Sequence, residues 1–250
     1  MGLPDPMARP VLVVLHQEHS TPGRVGHRLI ERGYPLDIRR PRFGDPLPET
    51  LSGHAGAIIF GGPMSANDPD DYIKTEIDWI KVPLGEGVPF LGLCLGAQMM
   101  AMQLGAAVTP HADGHIEVGW FGLKATEAGK RLTTWPDCVH QFHKEGFGLP
   151  AGATLLAEGA AETFPNQAFS YGEAAFGIQF HIELTMAMVG RWTGHIGDRA
   201  KLPGGQAAAM HFRGRALHDW KTAAFLEAFL DLWLKRDRRA LSHPAVAAAE

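Results

Sequence analysis

The chain has only two cysteines, Cys94 and Cys138, among its 250 residues. Two thiols do not make the disulfide framework of a small secreted domain, so a reducing compartment is expected. The sequence also lacks an apolar stretch of transmembrane length. The first apolar run, 11–15, is too short for the core of a signal peptide. These features predict a soluble cytoplasmic protein.

Strong positive charge is missing as well. The formal net charge is -4 at pH 7, and Lys235–Arg239 is the one basic run that stands out. Nucleic-acid-binding chains usually present a basic face. We therefore expect neither a nucleic acid nor a membrane as a partner. The length and the hydrophobic content of 45% suit one sizeable globular domain.

Strand-like and helical patterns alternate over the first hundred residues. Short apolar runs typical of buried strands lie at 11–15, 57–60 and 88–92, and helical spacing of apolar residues lies at 23–32 and 70–81. Such alternation is typical of βαβ units. The sequence therefore predicts an α/β fold with an open, mostly parallel sheet flanked by helices.

The middle of the chain has a different pattern. Short strand-like segments at 117–123, 153–158, 168–171 and 174–181 are separated by turns, with little helical spacing between them. This favours antiparallel pairing, so we expect a small antiparallel patch beside the parallel sheet.

A helix is predicted for residues 220–235, which carry apolar side chains on one face. Trp220 is expected to face the core, as most tryptophans do. Residues 1–9 are expected to be a loose leader, and residues 241–250 a frayed tail.

One segment combines a strand, a tight turn and a helix around a cysteine. The apolar strand ends at Gly92, the pattern Gly-x-Cys-x-Gly runs to Gly96, and helical spacing follows. This is the layout of a nucleophile elbow, whose tight turn requires glycines beside the nucleophile. Cys94 would lie at a helix N-terminus, which favours the thiolate, and the N–H of Leu95 could bind an oxyanion. The alternative interpretation of Cys94 is an inert buried thiol.

A nucleophilic cysteine needs a base, and His181 is the best candidate among 13 histidines. It closes the strand-like run 176–180, which places it at the same edge of a parallel sheet as the elbow. Glu183 could accept the imidazole N–H and fix the tautomer. The alternative interpretation of His181 is a satisfied histidine at the end of a strand.

Gly61-Gly62-Pro63 follows another apolar strand. Its backbone amides could supply a second oxyanion donor at the same sheet edge, although an ordinary tight turn would have the same composition.

Two histidine pairs have spacings that would suit metal ligands on a helix. They are His111 with His115 and His140 with His143. Proline and glycine near the first pair argue against a helix, and no His-Glu-x-x-His pattern is present. We therefore predict no metal site, and no cofactor is expected.

The Gly-Gly loop, the Gly-x-Cys-x-Gly-x-Gln segment at 92–98 and the Phe-His-x-Glu segment at 180–183 occur here in this order. Together they resemble the class I (triad) glutamine amidotransferases, in particular the stand-alone relatives of the glutaminase domain of GMP synthase. The similarity runs from about residue 11 to residue 183. It implies a flavodoxin-like fold of the class I glutamine amidotransferase type. One such domain would cover 1–240, including a C-terminal helical extension.

The resemblance also implies a reaction. Cys94 would attack the side-chain amide of glutamine, His181 would protonate the departing ammonia, and Glu183 would hold His181. Water would then hydrolyse the γ-glutamyl thioester to glutamate. The implied substrate-binding and oxyanion-hole positions are Gly61, Gly62, Leu95 and Gln98. In larger family members the ammonia travels to a synthetase domain, so an ammonia-accepting synthetase is a candidate partner.

The chain departs from the family pattern at two places. Ile182 stands where many members have proline, and an apolar residue should be tolerated there. Residues 143–145 read His-Lys-Glu where relatives often have His-Gly-Asp. This segment lies near the glutamine pocket in the family, so a hydrolase of another γ-glutamyl amine or peptide is an alternative. Two further alternatives are a non-catalytic regulatory protein on the same fold and a chaperone/deglycase-like cysteine protein.

Overall fold

The structure is a computed structural model that describes residues 9–160 and 162–235. Apart from Arg9, the predicted leader lies outside these residues, and so does the predicted tail. The strands are β1 (Val11–Val14), β2 (Leu36–Arg39), β3 (Gly56–Ile59), β4 (Phe90–Leu93), β5 (Val108–Pro110), β6 (Glu117–Gly122), β7 (Lys124–Ala125), β8 (Cys138–His143), β9 (Glu145–Phe147), β10 (Thr154–Glu158), β11 (Asn166–Tyr171) and β12 (Ala175–Ile178). The helices are α1 (Gly23–Glu31), α2 (Asp71–Trp79), α3 (Lys81–Glu86), α4 (Leu95–Gln103), α5 (Glu127–Leu132), α6 (Met186–Gly194) and α7 (Ala208–Leu234).

Eight strands form one mixed sheet in the order β2-β1-β3-β4-β12-β11-β10-β7. The first five strands are parallel, and the last three are added in antiparallel fashion. Two small antiparallel sheets, β5–β9 and β6–β8, complete the middle of the chain. The predicted α/β fold with a mostly parallel sheet and an antiparallel patch is confirmed.

Helices cover both faces of the parallel part of the sheet. Alternate residues of β1 enter different cores: Val11 and Val13 pack on the side of α1 and α7, and Leu12 and Val14 pack on the side of α2 and α4. A strand buried on both faces has no polar side, which explains why β1 is a continuous apolar run.

The sheet order brings four strand ends together. The strands β1, β3, β4 and β12 are parallel neighbours, with Ile59 opposite Gly92 and Ile178 opposite Leu93. The segments that leave their carboxyl ends therefore lie side by side at one edge. In open α/β sheets this edge is where ligands bind.

Helix α7 begins at Ala208, well before the predicted start at 220. The expectation that Trp220 faces the core is wrong, because 65% of this residue is exposed. Asp219, Thr222 and Leu226 are among the residues of the buried stripe of α7. Trp220 follows Asp219 by one residue, which is about 100° around a helix, and so leaves the stripe.

Among the described residues, none of the helices combines the length and the apolar character that a membrane span requires.

Candidate active site

Cys94 lies in a strained turn between β4 and α4. Its φ is 51° and its ψ is -105°, and it is the one non-glycine residue with positive φ in the described part of the chain. Such a conformation costs about 1–3 kcal/mol and persists only where the surroundings enforce it. A Cβ atom on Gly92 would lie 2.4 Å from the carbonyl oxygen of Gly96, and one on Gly96 would lie 2.1 Å from that of Ile59. The predicted elbow and the need for both glycines are confirmed.

The surroundings of Cys94 favour an anionic sulfur. The residue is 5% exposed, and its backbone N–H donates to the carbonyl of Ile178 at 2.8 Å, which ties the elbow to β12. Cys94 caps α4, and Leu95 is the first residue of that helix. Amides in a first helical turn lack intrahelical acceptors and face the positive end of the dipole. They can therefore stabilise a thiolate or an oxyanion.

His181 and Glu183 form a buried pair beside the elbow. Nδ1 of His181 lies 2.7 Å from Oε1 of Glu183, and both side chains are at most 5% exposed. Burial lowers the pKa of His181, but the charges of Glu183 and Cys94 outweigh it and raise this pKa to about 10. Nε2 of His181 makes no hydrogen bond within the described residues. An imidazole oriented in this way can exchange a proton with the sulfur or with a bound substrate.

The glycine loop after β3 lies directly against these groups. A Cβ atom on Gly61 would be 3.2 Å from Cε1 of His181 and 3.3 Å from Cβ of Cys94. Gly62 follows, and a Cβ atom there would be 3.1 Å from Cβ of His16. The structure thus brings the loop, the cysteine and the histidine together, as the sequence predicted.

Gln98 is connected to Cys94 through Gln179, which the sequence patterns did not indicate as a functional residue. The side-chain amide of Gln98 donates to the Gln179 side-chain oxygen at 3.2 Å and to the Glu145 carbonyl at 2.8 Å. The amide of Gln179 in turn donates to the sulfur of Cys94 at 3.6 Å. Gln179 precedes His181 by two residues, and this spacing in an extended segment was the available signal, because such residues share a face.

The segment 143–145 lies beside Gln98, as expected from the resemblance. Oε1 of Glu145 accepts from the hydroxyl of Ser65 at 2.9 Å, and Nδ1 of His143 donates to the Glu145 carbonyl at 2.9 Å. Glu145 is buried, whereas Lys144 is exposed. Glu145 is therefore connected to Gln98 through its main-chain carbonyl and to Ser65 through its carboxylate, whereas Lys144 lies at the surface.

The histidines of the two predicted pairs contact other protein groups. In the first pair, Nε2 of His111 donates to the carbonyl of Glu162 at 2.9 Å, and the rings of His111 and His115 lie 4.9 Å apart. Nε2 of His140 lies 3.0 Å from Nδ1 of His211, whereas Nε2 of His143 lies 3.0 Å from Oε2 of Glu117. Within residues 9–160 and 162–235, no group of three histidine, cysteine, aspartate or glutamate side chains could hold a metal ion.

Comparison with known proteins adds a family to this geometry. The family model described as glutamine amidotransferase class-I matches residues 14–191. The glutamine amidotransferase-like protein YfeJ of Salmonella typhimurium is 30% identical over 186 residues, which are 70% of this chain and 76% of that protein. The glutamine-hydrolyzing GMP synthase of Porphyromonas gingivalis is 32% identical over 187 residues, which are 73% of this chain. The chain spans only 33% of that synthase.

Solved structures show the same fold over nearly the whole chain. A glutamine amidotransferase from Methylobacillus flagellatus superposes with a TM-score of 0.83 at 28% identity, covering 92% of this chain and 95% of that one. A glutamine amidotransferase from Thermotoga maritima gives 0.77 at 29% identity, covering 90% and 98%.

Proposed function

The chain belongs to the class I glutamine amidotransferase family, and we propose that it hydrolyses the side-chain amide of glutamine. One observation carries this proposal: a strained cysteine elbow, a buried histidine–glutamate pair and a glycine loop meet at one sheet edge. Each part alone has an ordinary structural explanation. Their meeting gives a nucleophile, a proton carrier and oxyanion donors within one small volume.

In the first half of the proposed reaction, the Cys94 thiolate attacks the side-chain carbonyl carbon of glutamine. The new C–S bond turns the carbonyl oxygen into an oxyanion, which the N–H groups of Leu95 and Gly62 stabilise. The protonated His181 gives its Nε2 proton to the amide nitrogen, and the C–N bond breaks. Ammonia leaves, and a γ-glutamyl thioester remains on Cys94.

In the second half, water attacks the thioester and gives one proton to His181. The C–S bond breaks and restores the Cys94 thiolate, while His181 is left protonated. The product leaves as glutamate after its new carboxyl group releases the second proton of the water to solvent. Glu183 stabilises the imidazolium by its negative charge and keeps Nδ1 protonated. Glu183 thereby keeps Nε2 directed at the reacting atoms in both halves.

The use of the ammonia is a separate part of the proposal. The GMP synthases that resemble this chain are named glutamine-hydrolyzing, and the chain covers about a third of the one from P. gingivalis. We propose that the released ammonia either passes to a synthetase partner or is set free by a stand-alone glutaminase. Stimulation of glutamine hydrolysis by a captured partner would favour the first form.

A γ-glutamyl hydrolase is the second candidate, and Glu145 favours it. Its carboxylate is buried and held by Ser65, and its main-chain carbonyl accepts from Gln98, which is connected through Gln179 to Cys94. A carboxylate at this place can bind an ammonium group of a substrate larger than glutamine. Comparing kcat/KM for glutamine with that for γ-glutamyl amines separates the two candidates, since a strong preference for glutamine excludes the second.

A non-catalytic role is less well supported. The conformation of Cys94 costs free energy that a binding protein would not need to retain at this position. The buried pair of His181 and Glu183 adds a second cost, because burying ionisable groups is unfavourable. Both costs are explained if the cysteine reacts.

Two expectations from the sequence stay proposals. We propose one amidotransferase domain over residues 1–240, supported by the family match and by the structural neighbours. We also propose a cytoplasmic location, supported by two free thiols.

The test is ammonia release from glutamine by the purified chain, beside Cys94→Ala and Cys138→Ser. We expect loss of activity in the first variant, unchanged activity in the second, and native melting temperatures in both. Burial raises the pKa of Cys138, so this thiol should also react slowly with iodoacetamide at neutral pH. Ammonia release that survives in Cys94→Ala would refute the proposed nucleophile.

A further inference from the structure

A second buried pair of ionisable residues lies behind the glycine loop. His16 follows β1, and Glu76 belongs to α2. Nε2 of His16 lies 2.7 Å from Oε2 of Glu76, and both side chains are 0% exposed. Neither residue has a role in the proposed reaction.

Packing alone does not explain this pair. Its neighbours in α2, Ile73 and Trp79, contribute apolar side chains to the core, and apolar residues at 16 and 76 would avoid the cost of desolvation. Oε1 of Glu76 is buried and has no hydrogen-bond partner among the described residues. Because burying this pair costs free energy, we expect the remaining contact of His16 to have a role.

The second ring nitrogen of His16 contacts the glycine loop. Nδ1 of His16 lies 3.2 Å from the carbonyl oxygen of Gly61. A carbonyl oxygen only accepts hydrogen bonds, so Nδ1 must carry a hydrogen. A second hydrogen lies between Nε2 and the Glu76 carboxyl group. Glu76 thus orients the ring of His16, so that Nδ1 stays hydrogen-bonded to the carbonyl of Gly61.

The peptide held by His16 is the one that carries the proposed oxyanion donor. The carbonyl of Gly61 and the N–H of Gly62 belong to one peptide unit, and in a trans peptide these groups point in opposite directions. His16 therefore pulls the carbonyl to one side while the N–H faces the other. Glycines on both sides would otherwise let this peptide rotate easily.

We propose that His16 and Glu76 are positioning residues that lock the Gly61–Gly62 peptide with its N–H directed at the oxyanion formed on Cys94. The inference rests on the proposed function in one respect, the use of Gly62 as an oxyanion donor. It concerns any acyl transfer to Cys94, so it is testable whether or not glutamine is the substrate.

Two reagents that react with Cys94 distinguish an effect on the oxyanion hole from an effect on the general reactivity of the thiol. We call the proposed hold of His16 and Glu76 on the Gly61–Gly62 peptide the lock. Acylation by p-nitrophenyl acetate passes through a tetrahedral oxyanion and releases p-nitrophenolate. Alkylation by iodoacetamide displaces iodide at a saturated carbon and forms no oxyanion. For both probes, the rate that belongs to Cys94 is the rate remaining after that of Cys94→Ala is subtracted. The ratio of the two rates reports the oxyanion hole, since thiolate content affects both.

Two replacements of His16 differ in the nitrogen that they imitate. The amide of His16→Asn lies near the position of Nδ1 and can still donate to Gly61, whereas that of His16→Gln lies near Nε2. We expect the acylation-to-alkylation ratio to fall about 10- to 100-fold in His16→Gln and less than about threefold in His16→Asn, because a lost oxyanion donor costs about 10²- to 10³-fold. His27→Gln, an exposed exchange of the same kind on α1, should leave the ratio unchanged.

Glu76 provides a second pair of variants, which serves if His16→Gln does not fold. Glu76→Gln can donate to Nε2 and so keep the hydrogen on Nδ1, whereas Glu76→Leu cannot. We expect the ratio to be retained in the first and to fall in the second. If glutamine is a substrate, kcat should fall with the ratio while KM changes little.

Equal ratios in wild type, His16→Gln and Glu76→Leu would overturn the lock. A lowered ratio in a protein that releases no ammonia from glutamine would support the lock and refute the proposed substrate instead.

Discussion

The side-chain amide of Gln179 donates a hydrogen bond to the sulfur of Cys94 at 3.6 Å. The oxygen of the same side chain accepts from Gln98 at 3.2 Å, so Gln98 determines which end of Gln179 faces the sulfur. An N–H donor stabilises an anionic sulfur more than a neutral one. The two glutamines therefore favour the thiolate.

Replacing Gln179 should change the reactivity of Cys94 without moving it. Gln179→Glu has nearly the same shape, but it turns a donor into a negative charge beside the sulfur. We expect slower alkylation by iodoacetamide at pH 7, about tenfold or more. The fold-change follows from roughly 1.4 kcal/mol of lost thiolate stabilisation.

Gln103→Glu at the end of α4 is the matched control, and its alkylation rate should equal that of wild type. The alkylation rate of Gln179→Leu should lie between those of wild type and Gln179→Glu, because leucine removes the donor without adding a charge. Equal rates in all variants would mean that the amide does not stabilise the thiolate.

Gly96→Ala should destabilise the fold strongly. The new Cβ atom would lie 2.1 Å from the carbonyl oxygen of Ile59, so α4 would have to move away from β3. We expect a loss of about 3 kcal/mol or more in the free energy of unfolding, measured by urea denaturation. Gly190→Ala is the control, since this helical glycine has open space around it and should gain up to about 1 kcal/mol. A stable Gly96→Ala would show that the elbow is less tightly packed.

The residues around Cys94 differ in how far the sequence could predict them. Cys94 and His181 follow apolar strands, and parallel strands share one carboxyl edge, so their meeting could be predicted. Glu76 could not be singled out in this way. It lies in a helical pattern where a glutamate is expected on the solvent side, and its partner precedes it by 60 residues.

Helix length was also outside the reach of local patterns. The first half of α7 is too polar to show a clear apolar helical pattern. Its burial depends on contacts with neighbours such as Trp120. The indole of Trp120 donates to the carbonyl of His211 at 2.9 Å, and it would contact a Cβ atom on Gly214 at 2.2 Å. Contacts of this kind belong to the fold and leave no periodic signal in the sequence.

Acid should destabilise the protein through two buried histidines. Burial lowers the pKa of His140 well below 6.5, with further lowering by the charges of His181 and His211, and burial also lowers the pKa of His211. Both bind protons more weakly in the folded than in the unfolded state. Their stabilising effect is therefore complete above about pH 6.5 and is lost as the pH falls below it.

His211→Asn should reduce this acid sensitivity. Asparagine keeps a polar group near the position of Nδ1 but does not titrate. Each histidine contributes a slope of up to about 1.4 kcal/mol per pH unit, so urea denaturation between pH 6.5 and 4.5 should show a shallower slope in the variant. His27→Asn, at an exposed position, should keep the slope of wild type. An unchanged slope in His211→Asn would mean that His211 is not one of the groups responsible.

Glu183→Gln should move the alkaline limit of activity to lower pH. Burial alone would lower the pKa of His181, but the negative charges of Glu183 and Cys94 raise it to about 10. The imidazolium that protonates the departing amine is therefore present below about pH 10 and is lost as the pH rises through this value. Glutamine at 183 can still accept from Nδ1 but carries no charge, so the pKa of His181 falls.

The measurement is kcat/KM for ammonia release against pH, because this quantity reports groups of the free enzyme. We expect the descending limb near pH 10 in wild type and at lower pH in Glu183→Gln, with kcat reduced at every pH since a neutral amide stabilises the imidazolium less. Glu173→Gln, on the turn between β11 and β12, is a control that keeps the net charge equal to that of the variant. If both variants lose activity over the same pH range as wild type, a group other than His181 sets the alkaline limit.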